Sequence, residues 1–299
     1  MTLEFAHRRR LAALAAGAGI AALLLLTGCA PTLDPEEARQ SLSEVTQDPA
    51  PPAADEVYDS ALHPEPVVEA QECSAVLVIT VRGTGEPTKG QLLSPVARAI
   101  TKAQPDDVVS IDLDYPADTD VKEGGTRGVR VLVDTLNVQA EACPEQRTVL
   151  LGYSQGSMVI GDALVVPDDR MIGATVGELT DAARDQVFAV VLYGDPRFEG
   201  DEPFNVGDFD PELNGIMPRP EGALDAFADR ISDFCVAGDV VCQATLDVSE
   251  DEHVAYYSNG MQQDGADVVI ERMERLPAST WATSDRSTPT PSPSPSDAP

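Results

Sequence analysis

The sequence predicts an α/β protein, a three-layer sandwich with helices on both faces of a central, mostly parallel sheet, and three observations carry that prediction. Short β-branched runs alternate with helix-length amphipathic stretches from residue 73 to residue 278. The strand-like runs are apolar at almost every position, as in strands buried on both faces, and not at every second one. Finally, Gly152-Tyr153-Ser154-Gln155-Gly156 lies between such a run and a helix-like segment, a placement that gives the pattern chemical meaning.

Taken in order, residues 75–81 form an unbroken apolar and β-branched run and read as the first strand. Residues 91–104 read as a helix and 108–113 as a strand. A helix over 125–142 follows, with Val129, Leu132, Val133, Leu136 and Ala140 as its apolar stripe. Residues 148–151 form the strand before the Gly-x-Ser-x-Gly stretch, and 157–164 the helix after it. A strand over 187–193 and a helix over 268–276 close the series. Repeated β-α-β units joined by right-handed crossovers make a parallel sheet, and ligands of such sheets bind beyond the carboxyl ends of the strands. Ser154 stands at one of those ends.

The flanks are of different character. His7-Arg8-Arg9-Arg10, an apolar stretch over 11–26 and Leu26-Thr27-Gly28-Cys29 succeed one another as the regions of a signal peptide, residues 1–28. The last four residues resemble the bacterial lipobox, which implies a lipid on Cys29. Residues 29–72 are rich in Pro, Ala and acids and read as a semi-extended tether; 279–299 are a Ser/Thr/Pro tail that cannot build a core. The expected location is outside the cytoplasm, membrane-anchored at the cell surface or secreted.

Export gives the cysteine count a meaning. Of five cysteines, Cys73, Cys143, Cys235 and Cys242 remain beyond Cys29, and an even number in an oxidising compartment implies two disulfides, with three pairings open. The 299-residue chain has 20 Lys and Arg against 51 Asp and Glu, net −31, which becomes −33 when residues 1–28, with three arginines and one glutamate, are removed. Such a surface excludes nucleic acid as a partner, since phosphate binding requires a basic face. Zinc-type ligand spacings are absent, so no metal is expected, and no cofactor.

Glycines on either side of Ser154 permit a turn too sharp for side chains and hold its hydroxyl exposed, which makes Ser154 the candidate nucleophile. A serine hydroxyl needs a neighbouring base. Of three histidines, His7 lies in the signal peptide and His63 in the tether, which leaves His253. The imidazole needs a carboxylate in turn. In the order nucleophile, acid, histidine the acid falls between 155 and 252, where Asp239, inside the interval from Cys235 to Cys242, stands out and Asp195, in Gly194-Asp195-Pro196, is the second candidate.

Together, Val81-Arg82-Gly83-Thr84-Gly85-Glu86, the Gly152–Gly156 stretch and Cys235-Val236-Ala237-Gly238-Asp239-Val240-Val241-Cys242 followed by His253 resemble the cutinase family of serine esterases, with the α/β-hydrolase fold. With the lipobox, the chain resembles a cutinase-like lipoprotein of the actinobacterial kind. The resemblance implies Ser154 as nucleophile, His253 as base and Asp239 as its orienting acid. It also implies an oxyanion hole from the Gln155 backbone N–H and Thr84, and disulfides Cys73–Cys143 and Cys235–Cys242. Three departures stand out: Ala244 where the family often has Gly, the acidic Ser249-Glu250-Asp251-Glu252 before His253, and a 197–230 segment longer than in small fungal members. The expected function is hydrolysis of carboxylic esters (short-chain, polyester or lipid) by a monomer, the alternative being an inactive surface-binding module of the same fold.

Overall fold

A computed structural model describes residues 53–244 and 251–281. Six parallel strands form one sheet in the order β2-β1-β3-β4-β6-β5. They are β1 (Val76–Val81), β2 (Val108–Asp112), β3 (Arg147–Tyr153), β4 (Val187–Tyr193), β5 (Asn205–Val206) and β6 (Ile231–Phe234). The helices are α1 (Ala53–Val57), α2 (Leu93–Ala103), α3 (Val121–Ala142), α4 (Gln155–Leu164), α5 (Asp181–Gln186) and α6 (Met261–Glu274).

The side-chain alternation of β1 separates two cores. Leu77, Ile79 and Val81 face one cluster, with α3, α4 and α5, and Val76 and Val78 face the other, with α2 and α6. This is the three-layer arrangement expected from the sequence. Every residue of the anticipated α3 stripe, Val129, Leu132, Val133, Leu136 and Ala140, is buried. Helix α3 begins earlier than residue 125 because Asp120 caps it, its side chain accepting from Glu123 N, and Gly124, Gly125 and Gly128 are carried inside it.

Two expectations need correction. Residues 53–72 are not a free tether: from Ala54 to Gln71 they lie along α3 as a strap. Ala54 N donates to Glu123 Oε2 (3.1 Å), and Arg130 donates to the carbonyls of Tyr58, His63 and Glu65. Val67 N reaches Asp134 Oδ2 (2.8 Å), Gln71 N reaches Gln139 Oε1 (2.9 Å), and the Cys73–Cys143 disulfide ends the series. Backbone groups make these contacts, so a Pro- and acid-rich composition does not disclose them. The closing helix, in addition, starts at Met261 and not at 268. Strands β5 and β6 and helices α1 and α5 were not anticipated.

The signal peptide, Cys29 and the 30–52 part of the tether, together with 282–299, lie outside the described residues. Among the described residues no helix is long and apolar enough to cross a membrane, and no cluster of His, Cys, Asp and Glu could hold a metal.

Candidate active site

Ser154 joins β3 to α4 with φ 52° and ψ −120°, a left-handed conformation that a non-glycine residue holds only when its surroundings enforce it. The enforcement is visible. Ser154 N donates to Tyr193 O of β4 (2.9 Å), and Ser154 O accepts from Ser157 N (2.9 Å). Gly156 has no room for a side chain, since a Cβ there would lie 1.8 Å from Val81 O. The turn thereby presents the Ser154 hydroxyl at the carboxyl edge of the sheet.

His253 Nε2 lies 3.0 Å from Ser154 Oγ, and His253 Nδ1 lies 3.0 and 3.1 Å from the two carboxylate oxygens of Asp239. The imidazole is held from several sides. The Tyr153 ring stacks on it at 5.2 Å and 22°, and Tyr153 Oη donates to His253 O (2.8 Å). Gly194, after β4, leaves the imidazole its place: a Cβ there would meet His253 Cε1 at 2.8 Å.

Asp239 is fully buried in the loop closed by Cys235–Cys242. Its Oδ1 accepts from Val241 N (2.8 Å) and its Oδ2 from Tyr256 Oη (2.7 Å). Burial alone would push this carboxyl up, but the hydrogen bond and charge of His253, then the donors Tyr256 and Val241, outweigh it and hold the carboxyl below its ordinary value. Both disulfides have the pairing the resemblance implied, with Cα–Cα distances of 5.5 Å for Cys73–Cys143 and 6.1 Å for Cys235–Cys242.

Asp195, the second candidate acid, is engaged elsewhere. It pairs with Arg219 and accepts from Arg197 N, in a buried layer where Arg197 also pairs with Asp162 (2.6 Å). The 197–230 segment thus carries two arginines into the interior beside α4. Ala244 has φ 25°, a positive value that favours glycine and that the surroundings impose on an alanine here.

The Gln155 backbone N–H opens α4, in the first turn, where N–H groups have no intrahelical acceptor. Thr84 Oγ1 donates to Gln155 Oε1 (3.3 Å), and Gln155 Nε2 donates to Asp118 O (3.3 Å), so the side chain of Gln155 holds Thr84 beside its own backbone. Behind Thr84, Glu86 accepts from Gly83 N (2.7 Å) and Leu92 N (2.8 Å) and from the Tyr257 hydroxyl. Buried Arg82 donates to the carbonyls of Leu113, Tyr115 and Pro116. Tyr153, Tyr256, Gly194 and Glu86 were not singled out from the sequence. Tyr256, three residues after His253, had only that proximity as a signal.

Comparison with known proteins gives the chain's family and fold. The chain is 32% identical over 201 residues to a cutinase of Kineococcus radiotolerans, covering 66% of this chain and 61% of that protein. It is 28% identical to acetylxylan esterase 2 of Talaromyces purpureogenus, covering 61% of this chain and 81% of the relative. The chain therefore spans less than two thirds of the Kineococcus protein's length, and 62% of that of cutinase 11 from Verticillium dahliae. Among solved structures, the catalytic core domain of acetyl xylan esterase from Trichoderma reesei superposes with a TM-score of 0.57 at 26% identity, over 66% of this chain and 99% of that one. A further acetyl xylan esterase structure, at 24% identity, has a TM-score of 0.60 over 67% and 99% and supports the α/β-hydrolase fold. A family model described as Cutinase matches residues 72–273, which is most of the chain and includes every site residue described above. On that match the chain belongs to the cutinase family.

Proposed function

We propose that this protein is an exported serine esterase that hydrolyses carboxylic esters through an acyl-enzyme on Ser154. The observation that carries the reading is the continuous hydrogen-bonded series from Ser154 Oγ through both nitrogens of His253 to a buried, ionised Asp239. His253 Nε2 takes the Ser154 proton as Oγ forms a bond to the ester carbon, and Asp239 stabilises the resulting imidazolium. The tetrahedral oxyanion is met by the Gln155 N–H and by Thr84, whose hydroxyl turns from Gln155 Oε1 toward it. A donor in such a position contributes about 3 to 4 kcal/mol. His253 returns the proton to the departing alkoxide. A water deprotonated by His253 then attacks the acyl carbon, and Oγ leaves with the proton restored.

The substrate class is esters of small or accessible acyl groups on polymers or lipids. The relatives named as cutinases and acetylxylan esterases support this, as do the exposed side chains of Val254 and Tyr257 beside His253. No cofactor or metal enters the scheme. Residues 1–28 serve as signal peptide and Cys29 as lipid attachment point in the same reading, with Cys29→Ala expected to release the protein from the membrane fraction. The test of the central claim is a fluorophosphonate: one adduct per chain, mapped to Ser154, together with p-nitrophenyl acetate hydrolysis that Ser154→Ala abolishes. A Ser154→Ala variant with more than a few per cent of wild-type turnover would remove Ser154 as nucleophile.

A further inference from the structure

At the opposite edge of the sheet, where the strands begin, is a cleft of about 360 Å³ lined by Arg147, Arg230, Arg272 and Arg275, with Val187 and Phe188 as apolar lining and Asp185 and Asp229 as the acids. Arg147 opens β3, Val187 opens β4, Arg230 immediately precedes β6, and Arg272 and Arg275 end α6. Since β3 runs from Arg147 to the elbow, the cleft lies about 20 Å from Ser154. Nothing in the ester hydrolysis uses it.

Its charge is what distinguishes it. The chain has only 20 basic residues against 51 acidic ones, yet four of the 20 converge here against two aspartates. Two of the arginines are built into the frame: Arg230 donates to Arg184 O (2.8 Å) and Val187 O (3.0 Å), and Arg272 donates to Phe188 O (3.2 Å). Asp229 only approaches Arg230, at 3.7 Å, and is itself exposed. Arg147 and Arg275 are exposed, and among the described residues their side chains make no hydrogen bond or ion pair. Burial lowers the Arg272 pKa; Asp229 opposes this, while the charges of Arg275 and Arg230 add to it, as expected of cations gathered with too few counterions. Guanidinium forks match the geometry of carboxylate and phosphate. The volume is that of a site for a small ring-sized ligand and exceeds what a lone ion needs.

We propose that this cleft is a second binding site, which takes an oxyanion-bearing unit of an anionic polymer, its carboxylate or phosphate between the arginines and its carbon frame against the half-buried Phe188. Such a site holds the enzyme on an anionic polymer while the opposite edge remains open to esters. It is independent of the catalytic reading, because no residue of one site belongs to the other. The acidity of the remaining surface does not prevent it, since charges more than about 10 Å away are screened at 0.1 M salt.

The test titrates the full chain at 0.1 M salt with oligogalacturonate, with poly(glycerol phosphate) and with a neutral xylo-oligosaccharide, by calorimetry. The variants are Arg147→Gln/Arg275→Gln and the charge-keeping Arg147→Lys/Arg275→Lys. Wild type is expected to bind at least one of the charged probes and not the neutral one, and the preferred probe identifies carboxylate or phosphate as the source. The glutamine pair should weaken binding about tenfold or more and the lysine pair by less. Melting temperature and p-nitrophenyl acetate turnover should stay unchanged in both variants. Failure of wild type to bind either charged probe, equal binding of the neutral one, or undiminished binding in the glutamine pair would overturn the proposal whatever the esterase assay shows.

Discussion

At the scale of single residues, the position of one proton depends on how Asp239 is held. An uncharged amide at this position cannot stabilise the imidazolium and favours the wrong tautomer, so Asp239→Asn should lower kcat by about 10⁴ with the fold intact. Steady-state kinetics with an ester and a circular-dichroism spectrum check both halves. Tyr256 acts through Asp239, and Tyr256→Phe is expected to reduce kcat/KM by about three- to tenfold with little change in KM. The same variant has a pH signature. Because the folded-state value of Asp239 is depressed, its contribution to stability is fully present above the unfolded value of about 3.9 and is lost as pH falls through the lower folded value. Removal of the Tyr256 donor raises that folded value. The melting temperature of Tyr256→Phe should therefore lie below wild type at pH 6, with the gap narrowing at pH 3. A gap that is constant with pH would mean that Tyr256 contributes packing alone.

Among the elements, β6 shows the opposite sign. Burial first, then the neighbouring charge of Asp195, push the Asp233 carboxyl well above its ordinary value, with Arg219 opposing. An acid raised on folding takes up a proton, so its contribution is fully present below about pH 4 and declines as pH rises toward the folded value. Asp233→Asn keeps a donor for Asp195 without that proton, and should melt higher than wild type at pH 8 and equally at pH 4. Equal melting at both values would place a charged Asp233 in the folded protein. This residue also explains why β6 was not legible: Ile231-Ser232-Asp233-Phe234 breaks the apolar run that marked β1, β3 and β4, and its compensating partners, Asp195 and Arg219, are distant in sequence. The strands β1, β3 and β4 were legible because burial on both faces demands continuous apolar side chains, whereas the edge strand β2, largely exposed, was legible from its β-branched Val108, Val109 and Ile111. Ser154 was legible from its glycines, and His253 from the scarcity of histidines. Asp239 was legible from the cysteines around it. Gly194 and Tyr153 were not, because what they contribute is space and contact for a ring that arrives from 59 and 100 residues away.

For the whole molecule, the strap over 54–71 depends on Arg130, which is buried beside Asp134 (2.6 Å) and bonded to three strap carbonyls. Replacement by glutamine removes the only cation paired with buried Asp134 among the described residues and leaves it the Val67 N–H, a loss of about 3 to 5 kcal/mol. For a domain of this size the melting temperature should fall by about 6 to 20 °C, while turnover at 25 °C stays near wild type because none of the bonds lost touches Ser154 or His253. Differential scanning calorimetry and an ester assay separate the two. The strap also has a mechanical meaning. It runs in the same direction as α3, so that its first residues lie by Glu123, at the catalytic edge, and its last by Cys143, at the far edge, about 30 Å away. A pull on the N-terminal end loads the Ala54, Arg130, Asp134 and Gln139 contacts before it loads any strand. Once they give way, about 18 residues of chain are released, some 60 Å when extended, and the peeling halts at a covalent bond. The Cys73–Cys143 disulfide passes the remaining tension to the end of α3 and spares β1, which lies between β2 and β3 in the sheet. Under the N-terminal lipid attachment proposed above, this would act as a shock absorber with a fixed stop, able to extend and recover without opening the sheet that carries Ser154.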